Sequence, residues 1–170
     1  MRRIATFIFF AVYISGWGQS EIKPTTAFTI SGQIKKEIII TLSDLTGLNS
    51  LKIDDLVITN HLGVHKGTAR GLKGIPVKEI LKDLSYNVES PRILNEFYLT
   101  FIASDGYKVV YSWNEIFNNP SGDRIFLVTE KEGKPITDME DRILMINTSD
   151  FKTGRRHLKG LDKIRVGRVE

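Results

Sequence analysis

The chain has 170 residues, 41% of them hydrophobic and 26% charged, a formal net charge of +4 and no cysteine. This is a globular composition, long enough to bury a core of its own. The missing cysteines exclude disulfide scaffolds, thiolate zinc sites, iron–sulfur clusters and cysteine nucleophiles.

The first twenty residues read as a secretory leader. Arg2 and Arg3 form a positive start, Ile4 to Ile14 is an apolar run, and Ser15, Gly16, Gly18 and Ser20 supply small residues for cleavage after Gly18 or Ser20. The run is too short for a membrane span. Removing it leaves a net charge of +2 with acids interspersed among bases, which argues against nucleic acid as a partner. No later stretch is long and apolar enough to span a bilayer. The expected product is exported, periplasmic or secreted. Residues 21–26 read as a short linker around Pro24, and residues 27–170 as one domain.

Phe28, Ile30 and Ile34 alternate with polar residues around Gly32, predicting a strand with a bend. Glu37 to Leu42 is a second β-rich run. Ser43-Asp44-Leu45 predicts a capped helical turn, and Leu56-Val57-Ile58-Thr59, within Leu51 to Asn60, a third strand. Residues 61–74 read as irregular chain, punctuated by Gly63, Gly67, Gly71 and Gly74. Gly74-Ile75-Pro76 is expected to open a helix with Val77, Ile80, Leu81 and Leu84 on one apolar face. Ser90-Pro91 breaks the chain. Phe97 to Ala103 and Lys108 to Ser112 predict two strands, joined through Ser104-Asp105-Gly106-Tyr107 as a hairpin. Ser112 and Glu115 have capping-box spacing for a short helix. Turns are expected at 119–122 and 131–135, and strands at Arg124–Glu130, Ile143–Ile146 and Leu161–Val169. The sum is an α+β domain of mixed, short-stranded β-sheets with a few short helices.

Several chemical groupings stand out. The glycines of 60–74 let backbone amides approach a ligand, and Lys66 and Arg70 add charge suited to phosphate. His61 and His65, four apart, form a candidate metal pair that needs a third ligand such as His157 or a carboxylate. Asp105-Gly106-Tyr107 is first a turn, in which Tyr107 is free to face core or pocket. Arg155, Arg156, His157 and Lys159 form a basic cluster after Gly154.

The order of landmarks resembles the molybdopterin-binding domain of sulfite-oxidase-type oxidoreductases, in its short exported form. The resemblance runs through Phe28-Thr29-Ile30-Ser31-Gly32, Leu42-Ser43-Asp44-Leu45, the Gly74–Leu81 stretch, Asp105-Gly106-Tyr107, Gly133-Lys134-Pro135-Ile136 with Arg142-Ile143-Leu144, and Leu158 to Val166. It implies that fold, and a pterin phosphate near Arg142 and the basic cluster at 155–159. It also implies a molybdenum-ligating cysteine after the strand that precedes Gly74. Here that region reads Ile58-Thr59-Asn60-His61-Leu62-Gly63, and Gly160 stands where the family carries tryptophan. Neither Asn nor His replaces a thiolate electronically. The resulting expectation is a non-redox module that binds a small anionic or pterin-type ligand, or a protein partner. An oxidoreductase with Asn60 or His61 at the metal, and a histidine-based metal-binding module, are the alternatives.

Overall fold

In the computed structural model, which describes residues 21–169, β-strands dominate. The leader reading of residues 1–20 lies outside the described residues. One five-stranded sheet is built from β1 (Ala27–Gly32), β2 (Ile38–Thr41), β7 (Phe97–Ala103), β8 (Lys108–Ser112) and β12 (Leu161–Arg168), in the order β2-β1-β12-β7-β8. Only the β1–β12 pair in it is parallel. The second sheet runs β10 (Lys134–Pro135), β9 (Ile125–Lys131), β6 (Leu72–Pro76), β3 (Leu51–Ile53), with β11 (Leu144–Asn147) also on β9. The hairpin of β4 (Leu56–Thr59) and β5 (His65–Ala69) stands as a sheet of its own.

Period-two patterning marks the strands of the first sheet. In β7, Phe97, Leu99, Phe101 and Ala103 are buried and the residues between them are not. β11 is buried along its whole length, as are the first four residues of β9. Such continuous apolar runs suit strands covered on both faces. One apolar cluster draws on both large sheets and on the short helices α1 (Leu42–Thr46), α2 (Val77–Leu81) and α3 (Trp113–Phe117).

The capping box before α3 forms as expected: Ser112 Oγ accepts from Glu115 N, and Ser112 N donates to Glu115 Oε2. At α1 the cap is Thr41 rather than Ser43, with Asp44 as its partner.

The third strand forms at Leu56–Thr59, as expected; the exposed pair Asp54-Asp55 separates it from a further short strand, β3, which joins a different sheet. Two local expectations are corrected. Residues 61–74 are not one irregular loop. Beyond a tip at 60–64 they hold β5 and β6, because Ala69, Leu72 and Ile75 each bury a side chain. Gly71, at φ +58°, makes the step between those strands. Gly74-Ile75-Pro76 belongs to β6, and α2 is a single turn that begins only at Val77. Among the described residues no helix is long and apolar enough to cross a membrane.

Candidate functional site

Four pieces of chain meet beside the free edge of β8. The β7–β8 turn is the first: Gly106 takes φ +85°, and Asp105 Oδ1 accepts from Tyr107 N at 2.9 Å. The β4–β5 tip is the second. There Asn60 Oδ1 accepts from both Leu62 N and Val64 N at 2.9 Å, an Asx turn that shapes the tip.

The basic segment is the third. A 3-10 turn, Thr153–Arg156, lies along the outer edge of β4. Thr153 Oγ1 accepts from Thr59 N at 3.1 Å and donates to Val57 O at 2.7 Å. Two further bonds tie the segment to its neighbours: Tyr107 OH donates to Arg155 O at 2.5 Å, and Arg155 donates to His61 O at 3.3 Å. Leu158, fully buried, then exchanges both backbone hydrogen bonds with Met145. The fourth piece is the stretch read as a linker. Lys23 is docked by its peptide groups on Ser104 Oγ, at 2.9 and 2.8 Å, which brings Ile22 to the rim.

Between these pieces lies an open cleft of about 740 Å³. Asn60, His61, Asp105, Tyr107, Arg155, Arg156, His157 and Lys159 line it, together with Ile22, Lys108, Val110 and Gly154. A smaller hollow of about 340 Å³ shares Gly154, His157 and Lys159 with it and adds Lys66, Thr68, Lys131 and Glu132. His157 and Lys159 therefore stand at the partition between two concavities.

The partition is electrically unusual. Lys159 and Lys131 hold the same carboxylate, Asp141, at 2.8 and 3.1 Å. Burial raises the Asp141 pKa, but hydrogen bonds from Lys159 and Lys131 outweigh it and hold the carboxyl below its ordinary value. Two cations on one anion leave a positive surplus. Beside them His157 Nδ1 is buried and has no hydrogen-bond partner among the described residues. Burial pushes the His157 pKa down to about 4; Lys159 and Lys131 push it the same way and Asp141 opposes them. At neutral pH the imidazole is uncharged.

This has a testable consequence. A histidine held neutral in the fold stabilises it fully above its unfolded pKa near 6.5, and that contribution is lost as pH falls toward 4. The melting temperature of the wild type should drop more steeply between pH 6.5 and 4 than that of His157→Gln. Parallel melting profiles across that window would show that His157 carries no such linkage.

The remaining expected residues lie elsewhere or take other roles. Arg70 is exposed, 3.6 Å from Asp55 on the far part of the hairpin. His65 lies on β5, opposite Thr59, and lines neither concavity. Gly106 serves the turn. Arg142 is half-buried with φ +42° and lines neither concavity; its neighbour Asp141 is engaged by the two lysines. Arg156 lines the cleft, but Asp150 and Glu115 hold its guanidinium over the Tyr111 ring. The histidine metal alternative lacks its third ligand: among the described residues no three of His, Asp or Glu come together. Lys131, Asp141 and Lys108 were not anticipated. Only Lys108, directly after the Asp-Gly-Tyr turn, had a local signal.

The residues present fit one part of a molybdopterin group and not the other. The buried, unpartnered His157 Nδ1 and the lysines beside it suit an oxyanion such as a phosphate. The metal end finds no thiolate in the chain. The Asn60 side-chain oxygen is already taken by its own turn, and His61 stands exposed at the tip.

No family model and no curated protein sequence matches the chain. Among solved structures, the chain is similar to the sulfane dehydrogenase SoxCD from Paracoccus pantotrophus, with a TM-score of 0.59 at 12% identity. The match covers 88% of this chain and 40% of that one, so the present chain spans well under half the length of its structural neighbour. At that identity the likeness is one of fold.

Proposed function

We propose that this protein is a non-redox binding module that takes an oxyanion-bearing ligand, of pterin type and size, in the cleft between the β7–β8 turn and residues 154–159. The observation that carries the reading is the buried, unpartnered His157 Nδ1 beside the Lys131–Asp141–Lys159 cluster. A buried polar atom without a partner costs about 1–3 kcal/mol, and a ligand oxygen accepting from it recovers that cost. Lys159 supplies the charge at the cleft, with Lys131 behind it on the shared Asp141, and Tyr107 and Arg155, joined by their hydrogen bond, line the same cleft.

A resident molybdopterin, if bound, would bring the metal's redox chemistry; the donor set here supports retention of its anionic end alone. The fold shared with a sulfane dehydrogenase supports a relation to a redox scaffold. The absence of any thiol supports loss of electron transfer in this chain. Export from the cytoplasm is part of the reading, on the strength of the leader-like residues 1–20.

The test is expression in a host that makes the pterin cofactor, followed by elemental analysis for molybdenum and fluorescence of released pterin. Pterin without stoichiometric metal is expected, with His157→Ala and Lys159→Ala each lowering the pterin recovered by about tenfold, the loss of one charge-assisted contact. Stoichiometric molybdenum would overturn the non-redox half of the reading, and absence of both would overturn the pterin half.

A further inference from the structure

The β4–β5 hairpin pairs with neither large sheet, and its tip is apolar. Leu62 and Val64 there are 68% and 54% exposed, and Phe151 is fully exposed. Phe151 adjoins the residues that tie the basic segment to this hairpin. Thr153 is hydrogen-bonded to β4 on both sides of Ile58, and the Lys152 side chain reaches within 3.7 Å of the space a side chain on Gly63 would take. Two large apolar side chains thus stand exposed at the tip, and a third, Phe151, precedes in the chain the lysine that reaches it.

The two chain segments that carry them are basic, and the acids Asp105 and Glu132 belong to the neighbouring concavities. The chain contains no acid from Leu56 to Lys78, and none from Phe151 to Leu161. Those two stretches make the tip and its flank. Lys66, Lys152 and Arg155 are exposed on it and, among the described residues, none of the three is in an ion pair. His61 and His65 stand exposed between them.

An apolar knob ringed by unpaired cations is matched by a surface that is anionic outside and apolar beneath. A protein partner would need a complementary hollow for the knob, and the knob offers that partner no groove in return; Leu62, Val64 and Phe151 line neither concavity described above. A bilayer needs no shape match. It accepts small apolar projections at the boundary of headgroups and acyl chains, and its anionic headgroups attract neighbouring lysines and arginines. We propose that the β4–β5 tip docks on an anionic phospholipid surface. Leu62, Val64 and Phe151 enter the headgroup boundary, and Lys66, Lys152 and Arg155 meet the phosphates. Of these three cations only Arg155 also lines the cleft, so the docking does not rest on a pterin being bound there.

The test uses the full chain, expressed with its own leader and purified as the host leaves it. It is floated with vesicles of phosphatidylcholine, alone or mixed with phosphatidylglycerol. Binding is expected to be at least about tenfold stronger to the anionic vesicles and to weaken as salt rises. The triple variant Leu62→Ser, Val64→Ser, Phe151→Ser should lose that binding by about tenfold or more. Lys152→Gln, a milder change at an exposed side chain, should lower it by about fivefold. All versions share one N terminus, so differences among them report on the tip. Equal binding to both vesicle types, or full binding by both variants, would overturn the proposal. Retention on immobilised polyglutamate without vesicle binding would also overturn it, and would assign the tip to an acidic protein.

Discussion

Gly154→Ala is expected to cost about 3 kcal/mol of stability, the upper part of the usual range for overpacking, and to abolish ligand binding in the cleft. A methyl group at this position would stand 1.8 Å from Thr59 O and 3.0 Å from Thr59 C. Both are backbone atoms of β4, so no side-chain rotation relieves the clash. Either β4 or the basic segment must move. The segment is held by the Thr153 bonds to Val57 and Thr59, so its displacement breaks those bonds as well. The same movement shifts His157 and Lys159, which follow within five residues. Urea unfolding with equal slopes would measure the stability term, and pterin recovery from the cofactor-making host the binding term. A variant with wild-type midpoint and wild-type pterin content would show that the close approach of these backbones is not what builds the cleft.

Arg156→Ala should cost about 2–3 kcal/mol, because it removes a charge partner from a largely buried carboxylate. Arg156 Nε lies 2.7 Å from Asp150 Oδ2, and a second guanidinium nitrogen pairs with Asp150 Oδ1. The Asp150 side chain is only 11% exposed. A third nitrogen reaches Glu115 Oε1 at 3.2 Å, and the guanidinium sits 4.4 Å from the centre of the Tyr111 ring. Glu115 also caps α3, so one side chain joins the basic segment, the α3 terminus and the β8 core face. The hydrogen bonds to Asp150 hold the Arg156 pKa above its already high ordinary value, and the charge persists at every pH the protein meets. Arg156→Lys keeps charge but loses the two-pronged contact and the stacking, and about half the loss is expected. In a double-mutant cycle, Arg156→Ala and Asp150→Ala together should cost less than the sum of the two. Strict additivity would show that the pair is not coupled.

Much of the strand content was legible because burial writes a period into the chain. The β7 alternation, the Asp-Gly hairpin and the Ser112–Glu115 box each depend on residues within a few positions of one another, and each formed. The glycine-rich stretch misled for a physical reason. Glycines there serve a step between sheets at Gly71 and a close contact at Gly74, whose added side chain would meet Leu127 O at 2.8 Å. Composition alone could not separate those uses from a mobile loop. Arg70 and Arg156 look alike in sequence. One is exposed beside Asp55, and the other is locked between two carboxylates and a tyrosine.

What the amino-acid order determined by itself is the chemistry that is missing and the elements that are local. Zero cysteines remove the thiolate regardless of fold, and the cap, turn and alternation signals act over short spans of chain. What only the tertiary structure decided is the convergence of distant residues. Lys131, Asp141, Lys159 and His157 come from three separate segments, and the lowered pKa values of Asp141 and His157 exist only because the fold brings the four side by side. Desolvation and charge pairing depend on distance in space, which a linear sequence does not contain.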